Sequence, residues 1–276
     1  MLRNTIYTIQ TKLLNRLSIT KWLRSHLMYP SLTRLIKNEK IVFLNYGYAD
    51  QAPAAPKIEL DAADEPNRLC IQLYHRVASA VDLRGSDVLE VSCGHGGGAQ
   101  YITRYLHPAT VTGVDLNPEA IKFCQQNHTG AGLSFVHGSA ESLEFGDESF
   151  DALINVEASH CYHSMEQFLR EVNRVLRPAG HFLFADIRRQ EDVAALNDQL
   201  ARSGLRVLAA EDITANVVES IDLDNTRKKA WVESLAPPGL RGFFNSFARL
   251  KETPSYRALA NRDEVYLRYV LCKQTA

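Results

Sequence analysis

The stretch Val88-Leu89-Glu90-Val91-Ser92-Cys93-Gly94-His95-Gly96-Gly97-Gly98-Ala99 decides how this 276-residue chain is read. A short apolar strand, Asp87–Val91, runs into a cluster of glycines, and a helix follows to about Leu106. Glycines between a strand and a helix let backbone amides approach a ligand and leave the helix N-terminus open towards it. The alternative is a glycine-rich turn that holds nothing. Gly94-x-Gly96-x-x-Ala99 also satisfies the dinucleotide fingerprint, so an NAD(P)-dependent oxidoreductase competes for the same residues. Glu90 tilts the choice. A carboxylate at the end of the first strand can orient a bound amino-acid group, whereas a phosphate loop gains nothing from an anion there. Asp115, ending the next strand, can accept both ribose hydroxyls in charge-assisted hydrogen bonds, which suits adenosine in either ligand.

Outward from the glycines, strands and helices alternate. Expected strands are Thr110–Asp115, Leu133–His137, Phe150–Asn155, His181–Asp186 and Leu205–Ala210. Asn117 is an N-cap followed by Pro118 and Glu119, and Ser164 with Gln167 forms a capping box ahead of Met165, Phe168, Leu169, Val172, Val175 and Leu176. Arg177-Pro178-Ala179-Gly180 stops that helix. Before the glycines, a helix through Leu73, Val77 and Val81 opens the core near Asn67. Residues 213–260 read as helical with a break at Pro237-Pro238-Gly239, and Glu264–Cys272 alternates as a final antiparallel edge strand. The fold class is α/β: a doubly wound, mostly parallel seven-stranded sheet with a helical insertion at about 213–260. Residues 1–60 read as an N-terminal helical cap and 61–276 as the ligand-binding domain.

Charge is uneven. Residues 1–40 carry eight Lys/Arg against one acid, +7, which leaves −8 on the remainder of a chain whose formal net charge is −1. Ile6, Ile9, Leu13, Leu14 and Leu17 form one helical stripe there. The segment reads as a lid packed on the domain, or as peripheral contact with an anionic membrane. Nucleic acid is disfavoured, because the basic residues lack interleaved aromatics and the remainder is acidic. Five scattered cysteines without a CxxC pair argue against a disulfide framework and structural zinc, and fit a reducing cytoplasm. No run approaches the roughly 18 apolar residues of a membrane span, and no signal peptide is evident. A homo-oligomer remains open.

Glu90-x-Ser92-x-Gly94-x-Gly96 resembles the first motif of class I S-adenosylmethionine (SAM)-dependent methyltransferases, with Ser92 in place of a glycine. Gly113-x-Asp115-x-Asn117, Gly138-Ser139-Ala140-Glu141 and Leu176-Arg177-Pro178-Ala179-Gly180 resemble its later motifs; Ser139 replaces the acid that faces the adenine amino group. Residues 41–186 are similar to phthiotriol and phenolphthiotriol dimycocerosate methyltransferases and related polyketide or fatty-acid O-methyltransferases. That likeness is carried by Ile41-Val42-Phe43-Leu44-Asn45-Tyr46-Gly47-Tyr48, Asp64-Glu65-Pro66-Asn67-Arg68 and Asn155-Val156-Glu157-Ala158-Ser159-His160-Cys161-Tyr162. It implies SAM as cofactor and a hydroxyl of a lipid, polyketide or similar secondary metabolite as acceptor. The residues expected to hold the cofactor are Tyr46, Tyr48, Gln72, Glu90, Ser92, Gly94, Gly96, Asp115, Leu116, Asn117, Ser139, Ala140, Glu141 and Asn155. Tyr46 and Tyr48 read equally as packing of the cap.

His160, just beyond the fourth strand, is the expected general base, and Asp186, ending the fifth, the group that orients it. The resemblance supports this pair; the alternative is a pocket-lining His160 with transfer driven by proximity. Glu157, His160 and His163 suggest a metal site, which the Ser164 cap argues against, so no metal is expected. A C-methyltransferase, which needs no oxygen-directed base, and a protein that binds SAM without methylating are the remaining rivals.

Overall fold

The computed structural model describes residues 41–50 and 57–275; the expectations for residues 1–40 fall outside the described residues. Its elements, in chain order, are α1 (Arg68–Ala78), β1 (Asp87–Val91), α2 (Gly97–Tyr105), β2 (Thr110–Asp115), α3 (Pro118–Asn127), β3 (Leu133–His137), β4 (Phe150–Val156), α4 (Met165–Val175), β5 (Leu176–Arg189), α5 (Val193–Ala201), β6 (Leu205–Asp212), α6 (Thr214–Leu235), α7 (Arg241–Phe247), α8 (Pro254–Ala260) and β7 (Glu264–Lys273). The strands form one seven-stranded sheet in the order β3-β2-β1-β4-β5-β7-β6. All pairings are parallel except those of β7, which runs antiparallel to both β5 and β6.

Alternation along each strand sorts side chains to two buried layers. One layer joins Val88, Ala152, Ile154, Leu183 and Ala185 to Ile71, Leu73 and Val77 of α1, Ile102 of α2, Ile121 of α3 and Val217 and Ile221 of α6. The other joins Leu89, Val91, Leu153, Phe182 and Phe184 to Phe168, Leu169 and Val172 of α4 and Leu196 and Leu200 of α5. Crossovers therefore pass on one face from β1 to β3 and on the other from β4 to β6. The change of face lies between β1 and β4, where doubly wound sheets open a crevice at their C-terminal ends.

Two expectations need correction, and one helix has no counterpart in the sequence reading. The last strand is antiparallel but not at an edge: β7 lies between β5 and β6, paired with β5 from His181↔Cys272 to Arg189↔Glu264. Its second face is covered as well, so Tyr266 and Arg268 are as buried as Val265. Arg268 is tolerated there because Glu211 pairs with it at 2.9 Å. β5 begins at Leu176 rather than His181, since Leu176 pairs with Phe150 before the register shifts at a tight turn through Ala179, which has φ 64°. The helix α5 carries only two buried residues, Leu196 and Leu200, and its periodicity is too thin to stand out.

Phe182 is fully buried among aromatic neighbours, its ring centroid 5.7 Å from Phe168 and 5.3 Å from Phe184. Phe182→Ala is expected to lower the unfolding free energy by about 3–5 kcal/mol, because a cavity adds to the lost transfer energy. Urea titration followed by circular dichroism checks this; a loss below about 1 kcal/mol would mean that this layer collapses around the hole.

Candidate active site

At the end of β1 the chain enters the glycine loop through Ser92, whose φ is 60°. A side chain in that left-handed region costs roughly 1–2 kcal/mol. The serine hydroxyl is held by Tyr162 Oη at 2.6 Å, and Tyr162 Oη accepts from Asn155 Nδ2 at 2.7 Å. Asn155 also donates to Val91 O at 2.9 Å, so the ends of β1 and β4 and the following loop are tied together. Gly96, with φ 76°, caps α2, and Gly98 admits no side chain: a Cβ there would lie 2.1 Å from the Tyr74 ring and 2.5 Å from Glu90 Oε1.

Glu90 is buried beneath the loop and accepts from Tyr74 Oη at 2.7 Å. Burial pushes its carboxyl up to about 8, against the hydrogen bonds from Tyr74 and the Ala99 amide. Asp115 closes the loop from β2, its Oδ2 accepting from Gly94 N and its Oδ1 from Asn117 N, each at 2.8 Å; burial raises its proton affinity too. Asn117 caps α3 by accepting from Glu119 N. Leu116 beside it is 36 % exposed, an apolar face at the rim. Ser139 and Ala140 follow β3, with Ser139 Oγ accepting from Glu141 N at 3.2 Å. Glu141 is turned to α4, where its carboxylate accepts the Ser164 amide.

A segment that sequence reasoning left loosely placed crosses this cradle. Val42 O accepts from Gly97 N at 3.1 Å, and Ile41 O is 2.6 Å from His95 Nδ1. Tyr48 N donates to Leu69 O and Ala49 N to Asn216 O, so residues 41–49 run from the loop past α1 to α6. Tyr48 packs into the core, whereas Tyr46 turns towards the end of β4: its N donates to Glu157 Oε2 at 2.9 Å, and Arg249 lies 4.9 Å over its ring. Gln72 is half-buried on α1. Arg68, one turn earlier, is engaged by Glu65 and the Ile58 carbonyl, away from the loop.

Beyond β4, His160 and Asp186 meet, Nδ1 to Oδ1 at 2.7 Å. Asp186 is fully buried, also accepts from Ser159 Oγ (2.6 Å), His160 N (2.8 Å) and Ile187 N (2.8 Å), and forms an ion pair with Arg188 Nη1 at 2.9 Å. Burial alone would raise its proton affinity, but the His160 and Arg188 charges outweigh it and hold the carboxyl well below the usual carboxylate range. Burial favours the neutral His160 ring, yet Cys161 and Asp186 overcome it and raise the imidazole well above its ordinary value. Glu157, at φ 56°, is raised to about 8 by burial. Spacing singles out Glu157 only as a candidate metal ligand, and nothing in the sequence marks its strained backbone or the linkage of Tyr162 to Ser92. Among the described residues no group of three or more His, Cys, Asp or Glu is arranged to hold a metal ion.

The family profile described as a methyltransferase domain matches residues 89–184. The phthiotriol/phenolphthiotriol dimycocerosates methyltransferase of Mycobacterium tuberculosis H37Rv is 46% identical over 245 residues, 89% of this chain and 90% of that protein. This chain belongs to that methyltransferase family. The fatty-acid O-methyltransferase of Mycolicibacterium smegmatis is 42% identical over 247 residues, covering 90% and 89% of the two chains. Among solved structures, the [4+2]-cyclase SpnF is similar with a TM-score of 0.67 at 18% identity, covering 90% of this chain and 94% of that one, a likeness of fold.

The chain is a SAM-dependent methyltransferase, and its cradle fits that cofactor on its own geometry. Two buried oxygens without a hydrogen-bond partner, Glu90 Oε2 and Asn155 Oδ1, stand at the ends of β1 and β4 as acceptors for a donor such as an ammonium group. The same geometry argues against a pyrophosphate. The Gly97 amide that it would need at the helix N-terminus is taken by Val42, and two carboxylates flank the loop. Gly98→Ala is expected to abolish SAM binding, because Tyr74 and Glu90 must both move to admit the methyl group. Calorimetry with S-adenosylhomocysteine measures it, and an affinity within threefold of wild type would show that the close approach is not what shapes the cradle.

Proposed function

We propose that this enzyme transfers the methyl group of SAM to a hydroxyl oxygen of a lipid, polyketide or similar long-chain acceptor, with His160 as general base and Asp186 as its orienting partner. The observation that carries the reading is the 2.7 Å contact between His160 Nδ1 and a fully buried Asp186 at the C-terminal rim of the sheet. SAM supplies an electrophilic methyl group on a sulfonium. The chain's own residues supply alignment and a base. An alcohol is a weak nucleophile while protonated, and a positioned base contributes about 10²–10⁴-fold. Asp186 holds the Nδ1 proton, leaving Nε2 to take the hydroxyl proton, and stabilises the imidazolium that forms.

The cofactor residues follow the same reading. Glu90, Ser92, Gly94, Gly96 and Asn155 face the amino-acid end, Asp115, Leu116 and Asn117 the ribose and adenine, and Ser139, Ala140 and Glu141 the adenine rim. Tyr46 and Gln72 belong to the covering side, whereas Tyr48 is packed into the core and has no place at the cofactor. A lipid-like acceptor is supported by the names of the two relatives and by the apolar cluster of Val232, Phe244, Leu250, Trp231 and Phe247 under α6 and α7, on which Ile41 and Leu44 pack. No helix among the described residues is long and apolar enough to cross a membrane. The +7 charge of residues 1–40 supports approach to an anionic membrane surface from the cytoplasm.

His160→Ala is expected to lower kcat by about 10²–10⁴-fold with S-adenosylhomocysteine affinity unchanged. Turnover close to wild type would favour a carbon acceptor or transfer by proximity alone. The pH profile gives an independent check. The active base is the neutral imidazole, so kcat/KM should rise with pH through a midpoint above the ordinary histidine value of about 6.5. Asp186→Asn should lower that midpoint, because the imidazolium loses its counter-charge; an unmoved midpoint would dissociate the two residues.

A further inference from the structure

Asp186 carries two cations, and the mechanism above uses one of them. His160 approaches Oδ1, while Arg188 Nη1 lies 2.9 Å from Oδ2. The Arg188 side chain is only 11 % exposed and Asp186 not at all, so water does little to screen the pair. The guanidinium is fixed on three sides. Nη1 also donates to Ile187 O at 2.7 Å, Nη2 donates to Ser159 Oγ, and the fork lies 5.9 Å from the Phe184 ring centre. Ser159 Oγ in turn donates to Asp186 Oδ2 at 2.6 Å. Arg188 and Ser159 thus form a closed clamp on the carboxylate oxygen that the imidazole ring does not touch.

A base facing an unshared buried carboxylate is a proton trap. It takes the acceptor proton readily and then stays charged at working pH. A second fixed cation on the same carboxylate removes part of that attraction. We propose that Arg188 is a positioning residue that divides the Asp186 charge, so that His160 returns to its neutral form between turnovers. The inference rests on His160 acting as the base. It is separate from the dyad itself, since Arg188 touches neither the imidazole nor the space beyond it.

Other groups bear on the imidazole: Cys161 on its own loop, Glu157 from the end of β4 and Tyr46 from the covering segment, while Tyr162 and Tyr266 bear on Asp186. Of these, Glu157 ionises at about 8, within the range that matters. Comparisons made in a Glu157→Gln background remove that contribution.

The test is a ¹⁵N NMR titration of the full-length protein, with the His160 resonances assigned by their loss in His160→Ala, alongside the pH profile of kcat/KM. Arg188→Gln is expected to raise the His160 midpoint by about one unit or more, a tenfold or greater loss of neutral base below it. kcat/KM should fall by the same factor at low pH and recover at high pH. Arg188→Lys, which keeps the charge but loses the fork, should stay within about half a unit of wild type. Ser159→Ala, which loosens the clamp while leaving the charge in place, should move the midpoint upward by less and serves if Arg188→Gln does not fold. A midpoint unmoved or lowered in both Arg188→Gln and Ser159→Ala overturns the proposal, as does a uniform loss of kcat at every pH. If the NMR midpoint rises while His160→Ala retains activity, the charge division stands and the base assignment is what fails.

Discussion

A fully buried carboxylate, Asp186, is the constraint on which the His160 end of the sheet depends. Four hydrogen-bond contacts from Ser159, His160 and Ile187 and an ion pair with Arg188 converge on its two oxygens. A charge in that position is costly unless it is paired and hydrogen-bonded throughout. The short helical turn Ser159–Cys161 and the last residues of β5 are therefore locked to each other, and the imidazole has little freedom left. Catalysis by alignment requires that kind of rigidity, because a misplacement of 1 Å can cost about 10²-fold.

The sheet supplies the distance between the two halves of the site. β1 lies beside β4 and β4 beside β5, so the glycine loop, the Asn155 amide and Asp186 stand at adjacent strand ends along one rim. The Ser92–Tyr162–Asn155 chain joins the first pair, and the His160–Asp186 contact joins the second. Residues 41–49 then cover the cradle and deliver Tyr46 to Glu157, one residue beyond β4. The glycine loop and His160, the proposed base, are thus coupled through hydrogen bonds rather than through one contiguous stretch of sequence.

That distribution explains what the sequence could and could not reveal. Glycine spacing, the Asn117 and Ser164 caps and the strand periods are local signals, and they sufficed for six of the strand positions and for the meeting of His160 with Asp186. The interior position of β7 was hidden because its polar residues Tyr266 and Arg268 find partners or apolar cover only after β6 and α6 have packed on it. The strained conformations of Ser92 and Glu157 leave no mark in a linear pattern, since neither residue type favours positive φ. The clamp on Asp186 also escaped notice: Arg188 reads as one more charge after a strand until its fork is seen against Ser159.

The central claim is that this dyad serves an oxygen nucleophile, and the destination of the methyl group tests it most directly. With SAM labelled at the methyl carbon with ¹³C and a hydroxylated long-chain acceptor, carbon NMR of the product reads the atom that received the label. The account predicts all of the label in a methoxy group, on an oxygen that carried a hydroxyl before turnover. Label bound to carbon would contradict it, and would leave the buried ion pair without a part in proton transfer.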